Sequence, residues 1–323
     1  MKRFAVPALL VVGGVQIAGA AQGLSAAAYP NRPVRYVVGG SVGGGADILA
    51  RSIALKLGEQ WGQQVIVDNR PGGGGIVASE IVARSPPDGY NLLMAFTSHV
   101  TNPSLYPKLS YDAVRDFAPI TMIATIPNVL VMHPAIAADS VPALVALAKS
   151  KQLSFASTGS GASNHLAGVL FGHMTGVKLL HVPYKGAGPA ITGVLSAETD
   201  IMFATMVSIL PQVKSGKLRA LGVTGLRRST AAPELPTINE AGVPGYEANA
   251  WFATFTTAGT PVPLQQRPNK EIVQIVMSPE VRNRLAAQGA EASTSTSEAL
   301  ASYTREEIAR WRRVIHESGA RAD

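Results

Sequence analysis

A repeated order of short apolar strand, glycine-rich loop and helix constrains the fold of this chain more than any other feature. The run "VRYVV" at 34–38 passes through glycines at 39–45 into the helical pattern "ADILARSIALKL". The run "LSFAS" at 153–157 passes in the same way through a second glycine-containing loop into "NHLAGVLFGHMTG". Continuous apolar strands alternating with helices are typical of a parallel sheet covered on both faces. The sequence therefore predicts two α/β halves, although no sequence-level repeat relates them.

Two long extended stretches connect these halves. Residues 117–134 leave the first half, and residues 248–261 return to it. We therefore predict a discontinuous lobe 1 of residues 29–125 plus 251–323, and a lobe 2 of residues 126–250. Two crossings make a hinge, and a hinge beside a cleft is the architecture of clamshell ligand receptors.

The N-terminus has the pattern of an export signal. Lys2 and Arg3 precede an uncharged apolar run, and small residues follow with cleavage options after Ala20 or near Ala27 and Ala28. The alternative is an uncleaved membrane anchor, but no basic stop-transfer cluster follows the run. We therefore predict that residues 1–28 are a signal peptide and that the mature protein is exported and soluble.

Composition and charge exclude several classes of protein. The chain has no cysteine, which removes disulfides and thiolate metal sites. Its formal net charge is +7, and loss of the two positive charges at Lys2 and Arg3 leaves +5. This mild excess favours acidic small molecules, but no Lys/Arg cluster carries the interleaved aromatics expected of a nucleic-acid-binding surface. We expect no nucleic-acid partner, no cofactor and no metal.

The first glycine loop (residues 39–45) and the second glycine loop (residues 157–163) each open a helix. The first N–H groups of a helix lack internal acceptors and, with the helix dipole, form an anion site. One loop in each half would allow a carboxylate to be clamped from both sides. The alternative is that glycine only permits close packing of helix on sheet. Asp47, in the first helical turn, is expected to cap its own backbone and to face away from the ligand.

Other polar residues leave alternatives open. Lys185 stands in a glycine turn at a strand end, where it either pairs with a second carboxylate or faces solvent. Residues 39–43 also fit the G-x-S-x-G pattern of a secreted serine hydrolase, with Ser41 as nucleophile and Asp200 and His316 as partners on paper. Short glycine patterns match often by chance, so the hydrolase is the alternative and not the main prediction.

The C-terminal third carries helix signals of its own. Ser295 with Glu298 fits a capping box for the last helix, which is expected to end before Gly319. Pro268 is expected to delay the start of the preceding long helix to about Asn269.

Long ordered motifs cover essentially the whole mature chain. They include "YPNRPVRYVV", "VIVDNRPGGGG", "PPDGYNLLM", "NPSLYPKLSYDAVRDFAPIT", "PNVLVMHP", "TGVKLLHVPYKGAGPA" and "APELPTINEAGVPGYEA". With these motifs the chain resembles the Bug-type substrate-binding receptors of tripartite tricarboxylate transporters. The resemblance implies an α/β fold of two lobes, the type II periplasmic-binding-protein (Venus flytrap) arrangement, with two extended hinge crossings.

The resemblance also implies a function without catalysis. Such receptors bind small carboxylic acids, related anions or amides through backbone amides, hydroxyls and waters, and present them to membrane subunits or a sensor. We expect a periplasmic monomer with no catalytic residue. The implied ligand-binding residues are Ser41, Val42, Gly43, Gly44, Gly45, Ala46, Asp47, Thr97, Ser98, Thr158, Gly159, Ser160, Gly161, Ala162, Ser163, Lys185, Gly186, Ala204 and Thr205.

Two of these positions depart from the family pattern. Gly39-Gly40-Ser41-Val42 stands where the family usually has Pro-Phe-Pro-Pro, which predicts a more mobile loop and a roomier pocket. Ala204-Thr205 stands where the family often has Asp-Asn, so a ligand amine would lose an acceptor there.

Overall fold

The computed structural model describes residues 29–184, 186–287 and 289–320, which form two β-sheets with helices packed on their faces. The predicted signal peptide and Lys185 lie outside the described residues. The strands are β1 (Val34–Val38), β2 (Val65–Asn69), β3 (Asn91–Phe96), β4 (Phe117–Ile126), β5 (Asn128–Met132), β6 (Leu153–Ser157), β7 (Leu179–Pro183), β8 (Ile201–Thr205), β9 (Arg219–Val223), β10 (Ala250–Thr257) and β11 (Glu291–Ala292). The helices are α1 (Gly45–Trp61), α2 (Ile76–Ala83), α3 (Ser98–Leu105), α4 (Val141–Ser150), α5 (Ser163–Thr175), α6 (Ala187–Leu195), α7 (Met206–Lys214), α8 (Val262–Val276), α9 (Pro279–Ala287) and α10 (Ser297–Ser318), with a 3-10 turn at Gly73–Gly75 before α2.

Both sheets are mixed. The first has the strand order β11-β4-β10-β3-β1-β2, and the second has the order β7-β6-β8-β5-β9. β10 runs antiparallel to β3 and β4, and β5 runs antiparallel to β8 and β9. The predicted parallel pairing is present between β1, β2 and β3 and between β6, β7 and β8, but antiparallel strands complete each sheet. Each sheet takes in an interior strand from a crossing, and that strand runs opposite to its neighbours because the chain enters from the other lobe.

The two sheets share one topology. Read from their parallel edges, the orders are β2-β1-β3-β10-β4, with the short β11 added beyond β4, and β7-β6-β8-β5-β9. In both, the central parallel strand pairs with two parallel neighbours. The helices correspond as well, because α1, α2 and α3 follow β1, β2 and β3 as α5, α6 and α7 follow β6, β7 and β8.

Alternation along β1 places its side chains in two cores. Val34, Tyr36 and Val38 are fully buried in a cluster of the first lobe with residues of α1 and α8. Val37 points to the opposite face, into a larger cluster that continues through α10 into the second lobe. Because successive strand residues face opposite sides, a strand buried on both faces reads as an unbroken apolar run.

Helix α10 joins the lobes. It packs against α3 and β4 of the first sheet's side and against α5 of the second. Its N-cap is Thr296, whose side chain accepts a hydrogen bond from Ala299 N at 3.1 Å. The predicted cap at Ser295 is therefore wrong by one residue, because the Ser295 hydroxyl instead accepts from Met122 N of β4 at 3.0 Å.

Helix α8 begins before Pro268, so the predicted start at Asn269 is wrong. The helix starts at Val262 after an N-cap at Pro261, and Pro268 lies inside it. Pro268 lacks one backbone N–H, but it is buried on the same face as Leu264 and Ile272. That continuous apolar face offsets the loss of a single helical hydrogen bond. No helix within the described ranges combines the length and the apolar character needed to cross a membrane.

Candidate ligand-binding site

The loops at the carboxyl ends of β1, β2 and β3 meet at one edge of the first sheet. A Cβ added to Gly39, in the first glycine loop, would lie 2.7 Å from Gly75 Cα and 3.2 Å from the Phe96 ring. Only glycine allows this close approach of two backbones. The first loop, the "PGGGG" turn (residues 71–75) and the end of β3 therefore form one surface, as expected where parallel strands end together.

The first glycine loop is held by its own helix. Gly43 has a φ of 78°, and its N–H donates to Asp47 Oδ2 at 2.8 Å. Asp47 Oδ1 also pairs with Arg51 Nε at 2.9 Å. Burial disfavours the charged carboxylate, but hydrogen bonds from Arg51, Gly43 and Asn69 outweigh it, so the pKa of Asp47 lies below its ordinary value. Asp47 thus caps its own loop.

The N-terminus of α1 remains without a side-chain cap. Its N-cap is Gly44, in extended conformation with φ −75° and ψ 164°. Gly44 N donates to Ser41 O at 3.0 Å, which closes the turn below the helix. Val42 is 73% exposed at the tip of this loop. The first-turn N–H groups of α1 therefore lie behind a short loop with no bulky side chain except Val42.

Thr97 and Ser98 are bonded within the first lobe. Thr97 Oγ1 accepts from Trp251 N at 3.2 Å, which ties the start of α3 to β10. The Ser98 hydroxyl donates to Gly74 O, and Asn102 Nδ2 donates to the same carbonyl at 3.2 Å. No sequence motif marks Asn102 as part of this site. These contacts fix the "PGGGG" turn against α3.

The second glycine loop has the same plan as the first. Gly161 has a φ of 80°, and its N–H donates to His165 Nδ1 at 3.0 Å. The N-cap of α5, Ala162, is extended with φ −67° and ψ 155° and makes no side-chain cap. Thr158 donates both its N–H and its hydroxyl to Asn164 Oδ1 at 3.2 Å. Asn164 and the bond from Gly161 to His165 are further features that the sequence did not reveal.

The second loop packs against the first lobe. A Cβ added to Gly161 would lie 2.8 Å from Leu105 Cδ1, at the end of the helix that begins at Ser98. The loop that opens α5 therefore borders α3 directly, and the two lobes are in contact at this edge.

The remaining candidate residues lie at the ends of β7 and β8. Tyr184 N donates to Ser157 O at 2.9 Å, next to Lys185, whose placement lies outside the described residues. Gly186 is the N-cap of α6. The Thr205 hydroxyl lies 2.8 Å from Ser208 Oγ at the start of α7, whereas Ala204 is fully buried in the apolar core of the second lobe.

The two partner residues of the alternative hydrolase triad have other surroundings. Asp200 Oδ2 accepts from the backbone N–H and the hydroxyl of Ser154 at 2.7 and 2.8 Å. His316 lies on the exposed side of α10. Within the described part of the chain, His, Asp and Glu side chains nowhere gather in a group of three that could hold a metal ion.

His99 is a core residue. It is buried among aromatic rings, and its Nε2 lies 3.0 Å from Ala113 O. Burial lowers the pKa of His99 to about 4, so the imidazole is neutral at physiological pH.

Two α/β lobes of equal topology, joined by two crossings and bearing matched loops at the carboxyl ends of their strands, define the class of two-lobed solute-binding proteins. The family described as "Tripartite tricarboxylate transporter family receptor" matches residues 49–320. The chain belongs to this family, whose members are periplasmic receptors.

Individual relatives agree along nearly the whole chain. Protein BugT of Bordetella pertussis is 36% identical over 319 residues, covering 97% of this chain and 98% of BugT. The structure of R. palustris Rpa4515 with adipate has a TM-score of 0.80 and 34% identity, covering 91% of this chain and 99% of that protein. MatC (Rpa3494) from Rhodopseudomonas palustris with bound malate has a TM-score of 0.76 and 29% identity, covering 89% of this chain and 100% of MatC.

Proposed function

We propose that this protein captures a small organic carboxylate between its two lobes and presents it to the membrane subunits of a tripartite transporter or to a sensor. The observation that carries the proposal is the pair of matched loops. Each opens a helix whose N-terminus has no side-chain cap, and the second loop borders the first lobe. Relatives at 34% and 29% identity hold adipate and malate, both of which carry two carboxylate groups.

Neutral donors are sufficient for such a ligand. Helix N-termini present N–H groups with a favourable dipole, which suits a carboxylate. A hydrogen bond to a charged acceptor contributes about 1.5–3 kcal/mol net. Four or five of them reach the roughly 8 kcal/mol of a micromolar complex after ordering costs. The proposed contacts are the backbone and hydroxyls of residues 41–47, 97–98, 158–163, 185–186 and 205.

The proposal includes export and hinge motion. Residues 1–28 would direct the chain to the periplasm and be removed. The lobes would be residues 29–125 with 251–323 and residues 126–250, closing about the two crossings when a ligand contacts both. We propose that the protein acts as a monomer without a catalytic residue, so that Ser41 only contacts the ligand.

A thermal-shift screen tests the proposal. The mature protein is heated with adipate, malate and other mono- and dicarboxylates, and a ligand of the folded state raises the Tm. Isothermal titration then measures Kd for each acid that gives a shift. We expect at least one dicarboxylate to bind with a micromolar or lower Kd. If none of the acids shifts the Tm or gives heat, the carboxylate receptor is wrong.

A fluorophosphonate probe separates receptor from hydrolase. The probe reacts with an activated serine, and a receptor has none. We expect no covalent label on the native protein. Labelling that disappears in Ser41→Ala would support the hydrolase alternative instead.

A further inference from the structure

Two histidines behind the second glycine loop are stacked on each other. The ring centroids of His165, on α5, and His181, on β7, are 4.0 Å apart with the planes inclined by 25°. The His181 ring also stacks on Phe155 at 4.9 Å. The two imidazoles therefore form one packed unit between the helix and the sheet.

This pair supports the loop through two glycine amides. Gly161 N donates to His165 Nδ1 at 3.0 Å. His181 Nε2 shares a hydrogen bond of 2.6 Å with Ser157 Oγ, and Ser157 Oγ accepts from Gly159 N at 3.1 Å. Ser157 is fully buried, so this serine is a structural link and not an accessible nucleophile. Gly159 and Gly161 have φ values of 130° and 80°, conformations that glycine adopts without a steric cost.

A cavity connects the pair to the surface of the second lobe. It has a volume of about 730 Å³, and both His165 and His181 line it. A water molecule occupies about 30 Å³, so the cavity admits solvent and protons. The charged or titratable groups that face it from the described elements are His173 of α5, Glu317 of α10 and Lys178 before β7. His173 and Glu317 are paired with each other at 3.1 Å.

Protonation of His165 at Nδ1 is incompatible with the hydrogen bond that this nitrogen accepts from Gly161. An imidazole nitrogen that accepts a hydrogen bond carries no proton, and a protonated imidazole only donates. Gly161 therefore requires His165 to be unprotonated at Nδ1. Two positive rings in contact would also repel each other, so protons on both are disfavoured in the stacked arrangement. Histidine is the side chain that changes charge between about pH 5 and 8.

We propose that His165 and His181 are positioning residues that hold the second glycine loop in its ligand-binding shape, and that protonation of His165 at Nδ1 releases the loop. Ligand affinity then falls on acidification. This inference rests on the proposed function, because it assigns a regulation to the same site. His165 and His181 act through the loop amides and need not contact the ligand.

The first loop supplies the design of the test. In the first loop the residue equivalent to His165 is Asp47. Its Oδ2 accepts a hydrogen bond from the Gly43 N–H, as His165 Nδ1 accepts one from Gly161. His165→Asn therefore keeps an acceptor at the position of Nδ1 but cannot be protonated. His165→Ala removes the acceptor, and His181→Gln keeps a polar atom near Nε2. His173→Asn is the matched control, because it removes an imidazole of the same cavity that does not touch the loop.

The first measurement is the Kd for adipate between pH 5.5 and 8.0 in these variants. Ionisation of adipate is common to all proteins and cancels when each variant is divided by the wild type. We expect the wild type and His173→Asn to lose about tenfold in affinity relative to His165→Asn at pH 5.5, the factor that one ordinary hydrogen bond produces. His165→Ala should be weakened by a similar factor already at pH 8. A constant ratio of wild type to His165→Asn across the range overturns the proposal.

The second measurement needs no ligand. The mature protein is labelled with 15N-glycine, and amide shifts are followed with pH. We expect the Gly161 and Gly159 amides to titrate in the wild type and in His173→Asn, and the Gly161 amide to stay constant in His165→Asn. Shifts that are the same in all three proteins overturn the inference. If these shifts behave as expected while no carboxylate binds at any pH, the loop support stands and the proposed function fails.

Discussion

The first and second glycine loops occupy equivalent positions in the two sheets, and in both a left-handed glycine donates its N–H to the third residue of the following helix. In the first loop that residue is Asp47, which Arg51 keeps charged. In the second it is His165, which stacks on His181 beside a solvent-accessible cavity. The same loop conformation is thus stabilised by the Asp47–Arg51 ion pair in the first lobe and by the stacked rings of His165 and His181 in the second.

The loops also differ in what surrounds the left-handed glycine. Around Gly43 the space is open, whereas Gly161 lies against Leu105 of the other lobe. The tip of the first loop at Gly43 therefore borders open space, while the second loop is part of the contact between the lobes.

The largest expected effect comes from Gly161→Ala. A left-handed alanine costs about 1–2 kcal/mol, and overlap with Leu105 adds about 1–3 kcal/mol. We expect the free energy of unfolding in urea to fall by about 3 kcal/mol, and by about 1 kcal/mol in Gly43→Ala, which has only the backbone cost. In a Leu105→Ala background the effect of Gly161→Ala should shrink toward that of Gly43→Ala. Equal losses in the two single variants would contradict the difference between the loops.

Proline substitutions test whether both lobes hold the ligand. Gly45 and Ser163 are the first residues of α1 and α5, where proline is well tolerated and removes only an N–H. The extended backbone of Gly44 and Ala162 suits a following proline. If each N–H donates to a carboxylate, Gly45→Pro and Ser163→Pro should each raise the Kd for adipate by about 10- to 100-fold.

The controls for the prolines are Gly45→Ala and Ser163→Ala, which keep the N–H. Thermal unfolding confirms that each variant is folded. A loss of affinity in only one of the two proline variants would mean that a single lobe supplies the helix N-terminus, and the symmetric clamp would be wrong.

His99 gives a smaller, pH-dependent effect in the first lobe. Its pKa is about 4 in the folded protein, below the roughly 6.5 of an unfolded chain. The folded state is therefore fully stabilised above pH 6.5, and stability is lost as the pH falls from about 6.5 to 4, because the unfolded chain binds the proton first. Between pH 7.5 and 5 this group should remove ~2 kcal/mol.

Urea unfolding of His99→Gln against the wild type checks this contribution. The difference in unfolding free energy between the two proteins should shrink by that amount on going from pH 7.5 to 5. Parallel pH profiles would show that His99 is protonated equally in both states. In contrast to His165, His99 is expected to leave the pH dependence of adipate affinity unchanged, since it lies in the core and its Nε2 is 3.0 Å from Ala113 O.

Local patterns in the sequence predicted most of the elements but not their neighbours. Apolar runs and turn residues encode the order of strand, glycine loop and helix from β1 to α1 and from β6 to α5. The structure confirms this order. The insertion of β10 between β3 and β4 depends on pairing across more than 100 residues of chain, which no local pattern specifies. The start of α8 was predicted too late because the apolar face around Pro268 outweighs the missing N–H of proline. The N-cap of α10 was predicted one residue too early because the Ser295 hydroxyl bonds to β4 instead.

The sequence likewise predicted the loops of the candidate site but not the side chains that bond to them. Helix N-termini behind glycine loops are visible as short motifs, and the resemblance to a receptor family placed them on one function. The partners of the loop amides were not visible. His165 is four residues from Gly161 and looks like any helical histidine, and only the fold brings His181 of β7 onto it.

The late return of β10 has a practical consequence for anyone who wants to take the receptor apart. A fragment ending after β4 would lack β10 and leave a gap between β3 and β4. Residues 128–223, in contrast, contain all five strands of the second sheet in one continuous segment. Dissection into separately folding halves, for example for a split reporter, would therefore need a rearranged chain order that joins β10 and β11 directly to the strands of the first sheet.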